Sequence, residues 1–365
     1  MKNITFVIAD LAMGGAQRVI SLLVDRLSGY DGYHVDIIVL ASTQQGQSFF
    51  SLPPHVRLHY ADVLSASSGV VSAVASNFNR ITTIRRMIRE LRSDVVVTFQ
   101  TETNCTVLLS ALGTGVPVII SERSDPYMYP ESRVWRLIRR LVYPLASGAV
   151  FQTAYAAGFF GNNIKRHALI FNPVSVVDET ETLPAVQGPY ILGVGRLSAE
   201  KGFDDLIKAH ALAQQRMSDF KLVLVGSGPE KDRLESLATS LGTHADVIFA
   251  GAQSRLASYY KNALAFVLPS RFEGMPNALI EAMSYGCPVV VTPLYRAAPE
   301  IVDHGRNGLI AASGDAAGLS AQIIDIIENN EKRTRLGYAG QADSDRFAGP
   351  KIAAQWHDFI NSFLK

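Results

Sequence analysis

The sequence is poor in cysteine and carries no surplus of either charge. Only Cys105 and Cys287 occur in 365 residues, too few for a disulfide framework and consistent with a reducing compartment, so the cytoplasm is the expected location. Lys and Arg number 34 against 33 Asp and Glu, and the resulting formal charge of +1 gives no global sign of a nucleic-acid binder. No run of about 18 consecutive apolar residues occurs, which argues against a spanning helix and limits any membrane contact to a peripheral one. The opening MKNITFVIAD has one Lys and a short apolar run closed by Asp10, too short for the apolar core of a signal peptide. It reads as a first strand. No Ser-His-Asp pattern, Cys-His constellation or glycosidase-type carboxylate pair suggests itself. The only D-x-D, Asp343 to Asp345, lies in a polar stretch and not after a buried strand, so no metal is expected.

Apolar residues make up 48% of the chain and charged residues 18%, ample for buried cores. The length favours two domains. Short Val- and Ile-rich runs at 4–9, 35–40, 94–99 and 117–122 read as parallel strands buried on both faces, with helical stretches such as 16–27 and the arginine-rich 80–91 between them. A second series runs 190–195, 221–226, 246–251, 264–269 and 287–292. Two alternating series predict an α/β protein of two doubly wound Rossmann-like domains facing a central cleft. Residues 1–172 form the first domain, the proline-rich, acidic 173–189 a linker, 190–349 the second domain and 350–365 a terminal helix that packs back on the first.

Four strand-to-helix turns carry residue types suited to chemistry. In RFEGMPNALIEA, Pro276 sits at the first turn of a helix whose free N–H groups suit an oxygen-rich ligand, and Gly274 lets that ligand approach the backbone. Glu273 lies on the turn, and Glu281 is ~7.5 Å further along by the helical rise. Two such carboxylates can each accept from hydroxyls on an extended ligand; the plainer reading is a dipole-stabilising acid and a solvated one. In GRLSAEKG, Arg196 and Lys201 bracket a loop before a helix, a pattern that suits a diphosphate, although solvated turn charges would look alike. Gly226 lies on a generic strand-to-helix turn. At the amino end Gly14 and Gly15 precede a helix carrying Arg18, and SERSDP ends a strand with Glu122 and Arg123, either cleft-facing or a surface ion pair.

Together, GGAQR, GRLSAEKG, GSGPE, RFEGMPNALIEAM and EIVDHGRNGLI, in this order and spacing, resemble the retaining glycosyltransferases of family 4 with the GT-B fold. The likeness spans nearly the whole chain and is strongest from 190 to 310. It implies that Arg196 and Lys201 hold the donor diphosphate and Glu281 the nucleotide ribose. It further implies that Glu273, with backbone N–H groups around Met275, Asn277 and Ala278, holds the transferred sugar or its phosphate, that Arg255 and Leu256 lie against the base, and that Gly15 faces the phosphates. Arg123 stands where many members have a His, and PLYRAAPEIV replaces a glycine-rich turn, so Tyr295 and Arg296 could narrow the pocket. No cofactor is implied beyond the nucleotide-sugar substrate.

Arginines cluster in two helical stretches, Arg80, Arg85, Arg86, Arg89 and Arg92 in the first and four more in RVWRLIRR (133–140), each with an apolar side, as in helices that lie on anionic lipid or grip a pyrophosphate. A solvated face is the simpler account. SERSDP and the Trp-Arg stretch also resemble bacterial enzymes that extend polyprenyl-diphosphate-linked glycans. The expected acceptor is therefore a lipid-linked saccharide at the inner face of the cytoplasmic membrane, its diphosphate held by Arg80, Arg85, Arg86 and Arg89 with Arg18 nearby. The expected donor is UDP-linked. The rivals are an epimerase or phosphorylase of the same fold and a non-catalytic nucleotide-sugar sensor.

Overall fold

The computed structural model describes the chain except residues 13, 31, 43–47, 49, 65–69, 129–131, 165, 175–185, 218, 295–296 and 365, and the side chains of 70–74 and 162. Most of the expected linker, together with Tyr295 and Arg296, lies outside the described residues. The chain divides into two compact units, residues 1–173 with 349–365, and residues 174–348.

The first unit contains strands β1 (Lys2–Ile8), β2 (Tyr33–Val39), β3 (Arg57–Tyr60), β4 (Val95–Phe99), β5 (Val118–Ser121), β6 (Gly148–Phe151) and β7 (His167–Leu169). Its helices are α1 (Gly15–Leu27), α2 (Val70–Glu90), α3 (Thr101–Ala111), α4 (Arg133–Val142) and α5 (Ala154–Phe160). The strands pair in parallel in the order β3-β2-β1-β4-β5-β6-β7. The order reverses between β1 and β4, the switch point at which open α/β sheets leave a crevice beside their carboxyl ends. Helices cover both faces, which explains why β1, β2 and β4 are buried along most of their length rather than at alternate residues.

In the second unit, β8 (Tyr190–Val194), β9 (Lys221–Val225), β10 (Val247–Gly251), β11 (Ala265–Leu268), β12 (Val289–Val291) and β13 (Leu309–Ile310) pair in parallel in the order β10-β9-β8-β11-β12-β13. Between and after them lie α6 (Phe203–Gln214), α7 (Lys231–Ser240), α8 (Ala257–Asn262), α9 (Asn277–Ser284), α10 (Ala316–Glu328) and α11 (Asn330–Ser344). This sheet also reverses, between β8 and β11.

The chain then returns to the first unit through α12 (Gly349–Asn361). Its apolar positions Ile352, Trp356 and Ile360 are fully buried in the first core, Trp356 stacks on Phe99 with centroids 5.9 Å apart, and Asn361 accepts from the Tyr33 hydroxyl at 2.7 Å. Among the described residues no helix is long and apolar enough to cross a membrane.

Candidate active site

The second unit gathers a group of charged residues at the switch point. The β8 loop and the β11 loop meet there because Gly202 has φ 66° and no side chain, so its α-carbon lies against the carbonyl of Pro269; a Cβ would come within 2.2 Å of that oxygen. Arg271 braces the two loops. Its guanidinium donates to the Ala199 carbonyl and to Asp204 and Asp205, the latter two at 3.1 Å, and its backbone N–H donates to the Glu200 carbonyl at 2.8 Å. The two acids also complement the dipole at the start of α6.

Within that frame Lys201 Nζ donates to Glu273 Oε1 at 2.5 Å, and the Ser270 hydroxyl donates to the same oxygen at 2.8 Å. Thr292, at the end of β12, fixes Ser270 by donating to its carbonyl at 2.5 Å. Glu273 Oε2 has no partner among the described residues, and the two side chains keep 13% and 20% of their surface exposed. The pair therefore presents one open carboxylate oxygen and a partly exposed ammonium to whatever enters the crevice. Arg196, on the same loop, is exposed.

Gly274 is half-buried, Met275 buried, and Asn277 and Ala278 open α9, with Pro276 as the residue before its first turn rather than inside it. Glu281 is 5% exposed, with Oε2 facing the Tyr260 hydroxyl at 3.3 Å; Tyr260 in turn stacks on Tyr285. The solvated acid of the plainer reading is thus excluded for Glu281. Arg255 is exposed and Leu256 half-buried just before α8. Gly226, at φ 145°, brings the end of β9 against the β8 loop, where a Cβ would lie 1.8 Å from the Gly195 carbonyl oxygen. Its role is this close approach of two loops.

The first unit disposes its charges otherwise. Glu122 is 2% exposed and both carboxylate oxygens are occupied: Oε1 by the Thr101 hydroxyl at 2.9 Å and the Arg123 N–H at 3.2 Å, Oε2 by the Tyr143 hydroxyl at 2.6 Å. This removes Glu122 from the cleft-facing groups and from the surface ion pairs alike; it ties β5 to α3 and to the turn after α4. The Tyr143 hydroxyl is held well above its ordinary pKa by burial and by that carboxylate. Arg123 donates to Asn172 Oδ1 and to Ser121 Oγ, with its guanidinium 5.3 Å from the Phe99 ring centroid. Burial pulls its pKa down to about 9, which leaves it charged near neutrality. Arg123 thus stays a half-buried cation at the carboxyl edge of the first sheet.

The arginines of α2 differ in their partners. Arg85 donates from Nε to the Ser110 carbonyl at 2.9 Å and from Nη2 to the Leu109 carbonyl at 3.2 Å, closing the orphan acceptors at the end of α3. Arg80 donates twice to the Val63 carbonyl. Both are half-buried and spend donors on backbone carbonyls of the first unit, which competes with a hold on an acceptor diphosphate. Arg86 lies 3.9 Å from Glu90, and Arg89 is exposed. Arg18 is half-buried in the first turn of α1, and Gly15 is exposed at its start. Asp343 accepts from Arg306 and Asn307 at 2.6 Å each, which lowers its pKa and anchors the turn before β13. Ser270, Arg271, Asp204, Asp205, Tyr260 and Thr292 were not marked out by the sequence; the acid pair opening α6 and the Arg two residues before Glu273 were the available signals.

Comparison with known proteins accords with this arrangement. The family described as glycosyl transferases group 1 matches residues 178–343, and the glycosyl transferase 4-like domain matches residues 14–165. A Campylobacter jejuni enzyme is 28% identical over 362 residues, covering 99% of this chain and 98% of its own. It is described as a GalNAc-alpha-(1->4)-GalNAc-alpha-(1->3)-diNAcBac-PP-undecaprenol alpha-1,4-N-acetyl-D-galactosaminyltransferase. Among solved structures, a sucrose-phosphate synthase from Thermosynechococcus elongatus superposes with TM-score 0.85 at 20% identity over 99% of both chains. Anabaena HepE in complex with UDP-glucose gives TM-score 0.78 at 19% identity over 99% of this chain and 100% of its own. With a 4-like domain in its first unit and a group 1 domain in its second, both on the GT-B pattern of parallel sheets, the chain belongs to the glycosyltransferases of the family 4 type.

Proposed function

We propose that the protein transfers a hexose or N-acetylhexosamine from a UDP-sugar to a lipid-linked saccharide with retention of anomeric configuration. The observation that carries the reading is the Lys201–Glu273 pair, whose Glu273 Oε1 is doubly occupied and whose Oε2 is open, at the switch point beside Arg196. An open carboxylate oxygen suits a sugar hydroxyl, and the two cations suit the charge that grows on a departing diphosphate. In the proposed step the bond from the sugar's anomeric carbon to the β-phosphate oxygen breaks, and the acceptor hydroxyl oxygen bonds to that carbon on the same face. The hydroxyl proton passes to the departing phosphate oxygen. Lys201, Arg196 and the N–H groups opening α9 meet the developing charge, so the proposal requires no metal ion. The buried Glu281 is assigned to the ribose.

The undecaprenol-diphosphate substrate named for the Campylobacter relative supports a lipid-linked acceptor, and the UDP-glucose complex of HepE supports a UDP donor. On this reading the protein works at the inner face of the cytoplasmic membrane, in peripheral contact with anionic lipid. The test is nucleotide release by the purified protein from UDP-, GDP- and ADP-sugars, with and without EDTA and a lipid-diphosphate saccharide. Proton NMR of the product then gives the anomeric configuration. Release from UDP-sugar that rises with acceptor, ignores EDTA and gives the donor's anomer is expected. An inverted product sinks retention, and binding without turnover of any donor sinks the transferase assignment in favour of a sensor.

A further inference from the structure

Strand β4 passes into helix α3 through a single residue, Gln100, whose backbone stands at φ 75° and ψ 140°. That combination lies outside the small left-handed region that Asn and Asp tolerate, in territory that glycine alone enters at low cost. Both flanks impose it. The Gln100 N–H donates to the Ser121 carbonyl at 3.3 Å, extending the sheet, while its own carbonyl accepts the first bond of α3 from the Asn104 N–H at 2.8 Å. Thr101 is tied to the buried Glu122 at 2.9 Å, and the Asn104 side chain donates to the Ser121 carbonyl at 3.1 Å, so the turn falls on Gln100 alone.

Glycine is the ordinary answer to such a demand. The second unit gives it twice, with Gly226 after β9 at φ 145° and Gly251 at the end of β10 at φ 69°. The first unit keeps a glutamine at its reversal between β1 and β4. That side chain adds no hydrogen bond to the fold: it is half-buried, and neither Oε1 nor Nε2 has a partner among the described residues. Arg123 stands at the end of the neighbouring strand, held through Ser121 Oγ and Asn172, with its guanidinium 5.3 Å from the ring of Phe99, the residue before Gln100. Its Nε–H has no partner among the described residues. A strained residue that retains an unengaged amide, beside a cation with an N–H unengaged, occupies the place where open α/β sheets take their ligands.

We infer that Gln100 determines which acceptor sugar the protein accepts, its amide reading one hydroxyl or acetamido group of the terminal sugar while Arg123 holds a neighbouring oxygen. The inference rests on the saccharide acceptor of the proposed function and gives that acceptor a residue. An amide donates and accepts at once, the complement of a sugar hydroxyl or acetamido group. A site built to hydrogen-bond one such group rejects a sugar that lacks it or points it elsewhere, because the amide is then left unpaired.

The experiment compares wild type, Gln100→Gly and Gln100→Ala in initial rates with UDP-sugar. The acceptors are the polyprenyl-diphosphate-linked forms of N-acetylgalactosamine, N-acetylglucosamine and galactose; calorimetric titration with the same acceptors and urea unfolding accompany the rates. Gln100→Gly removes the amide and relieves the backbone, whereas Gln100→Ala removes the amide alone. Both are expected to raise the KM of the preferred acceptor about 10-fold, to move the KM of UDP-sugar far less and to flatten the ranking of acceptors. Gln100→Gly is also expected to raise the urea midpoint above that of Gln100→Ala, so that acceptor recognition falls as stability rises. A merely structural residue cannot produce that opposition. The inference is overturned by a Gln100→Gly variant that keeps the wild-type acceptor KM and ranking, or by one that loses acceptor use together with its urea midpoint. A wild type that turns over donor but binds none of the acceptors overturns the inference and leaves the donor half of the proposed function standing. A wild type that turns over no donor, yet binds an acceptor that Gln100→Gly binds about 10-fold less tightly, overturns the proposed transfer and supports this inference.

Discussion

The two sheets reverse their strand order at equivalent places, between β1 and β4 and between β8 and β11, yet they spend their charges differently. In the second unit the charged groups at the reversal are arranged around an opening: Arg271 and its acids brace the loops, and Lys201 and Glu273 are left partly exposed with one carboxylate oxygen unclaimed. In the first unit Glu122, Arg80 and Arg85 are consumed by hydrogen bonds that hold helices and strands together. A charged residue at a strand end is therefore a functional signal only once its own hydrogen bonds have been counted. The open valence, not the charge, separates the two cases.

That contrast can be broken experimentally, beginning with the largest effect. Trp135 and Trp356 are the only tryptophans and both belong to the first unit, so indole fluorescence follows that unit alone. Trp356→Ala should cost about 3–5 kcal/mol in urea unfolding read through Trp135, because a fully buried large side chain is lost. A loss well below that would mean that α12 is not part of the first core. Next, Lys201→Ala or Glu273→Gln should slow nucleotide release by about 10²–10³-fold while leaving the urea midpoint nearly in place. Near wild-type turnover with a collapsed midpoint would put the pair on the structural side, like Glu122.

Smaller effects sharpen the point within one helix. Arg85→Ala removes two bonds to the end of α3 and should lower stability by about 1–2 kcal/mol. Arg86→Ala, one residue on but exposed, should change it by under about 0.5 kcal/mol. Equal losses would erase the distinction drawn between committed and uncommitted arginines. The last effect is a slope. His210 is fully buried on the inner side of α6, with Nε2 3.4 Å from the Phe220 carbonyl and Nδ1 without a partner among the described residues, and burial lowers its pKa from 6.5. The unfolded chain then binds the proton more readily, so the stability is fully present above about pH 6.5 and declines as the pH falls through that value toward the folded pKa. Urea unfolding of wild type and His210→Gln at both ends of that range should show the wild type losing more on acidification. The opposite sign would mean that His210 is charged in the folded protein.

The nine strands read from apolar runs all appear, at or within two residues of their expected ends at most edges, because buried parallel strands announce themselves as uninterrupted Val and Ile. The four that were not foreseen are short or lie toward sheet edges. β3 is half-solvated, β7 is three residues with two exposed, β13 is two residues, and β6 begins with the glycine of GAVF. None offers a periodic signal of useful length. The two glutamates of RFEGMPNALIEA were legible as a pair, but not their environments: the burial of Glu281 depends on Tyr260, and the geometry of Glu273 on Ser270 and Thr292, which lie on different elements. Likewise, the arginines of 80–92 share one composition in the sequence, and only the position of the α3 end tells Arg85 from Arg86.

The return of α12 has a bearing on how the molecule comes into being. Phe99 waits for Trp356, and between them in the chain stands the whole of the second unit. On the ribosome, the second unit can close its core as soon as its own strands have emerged, since the members of that core cluster lie within residues 174–348. The first unit, although translated earlier, must keep the apolar seat for α12 uncovered until residues 349–365 arrive, so the half made first is the half finished last.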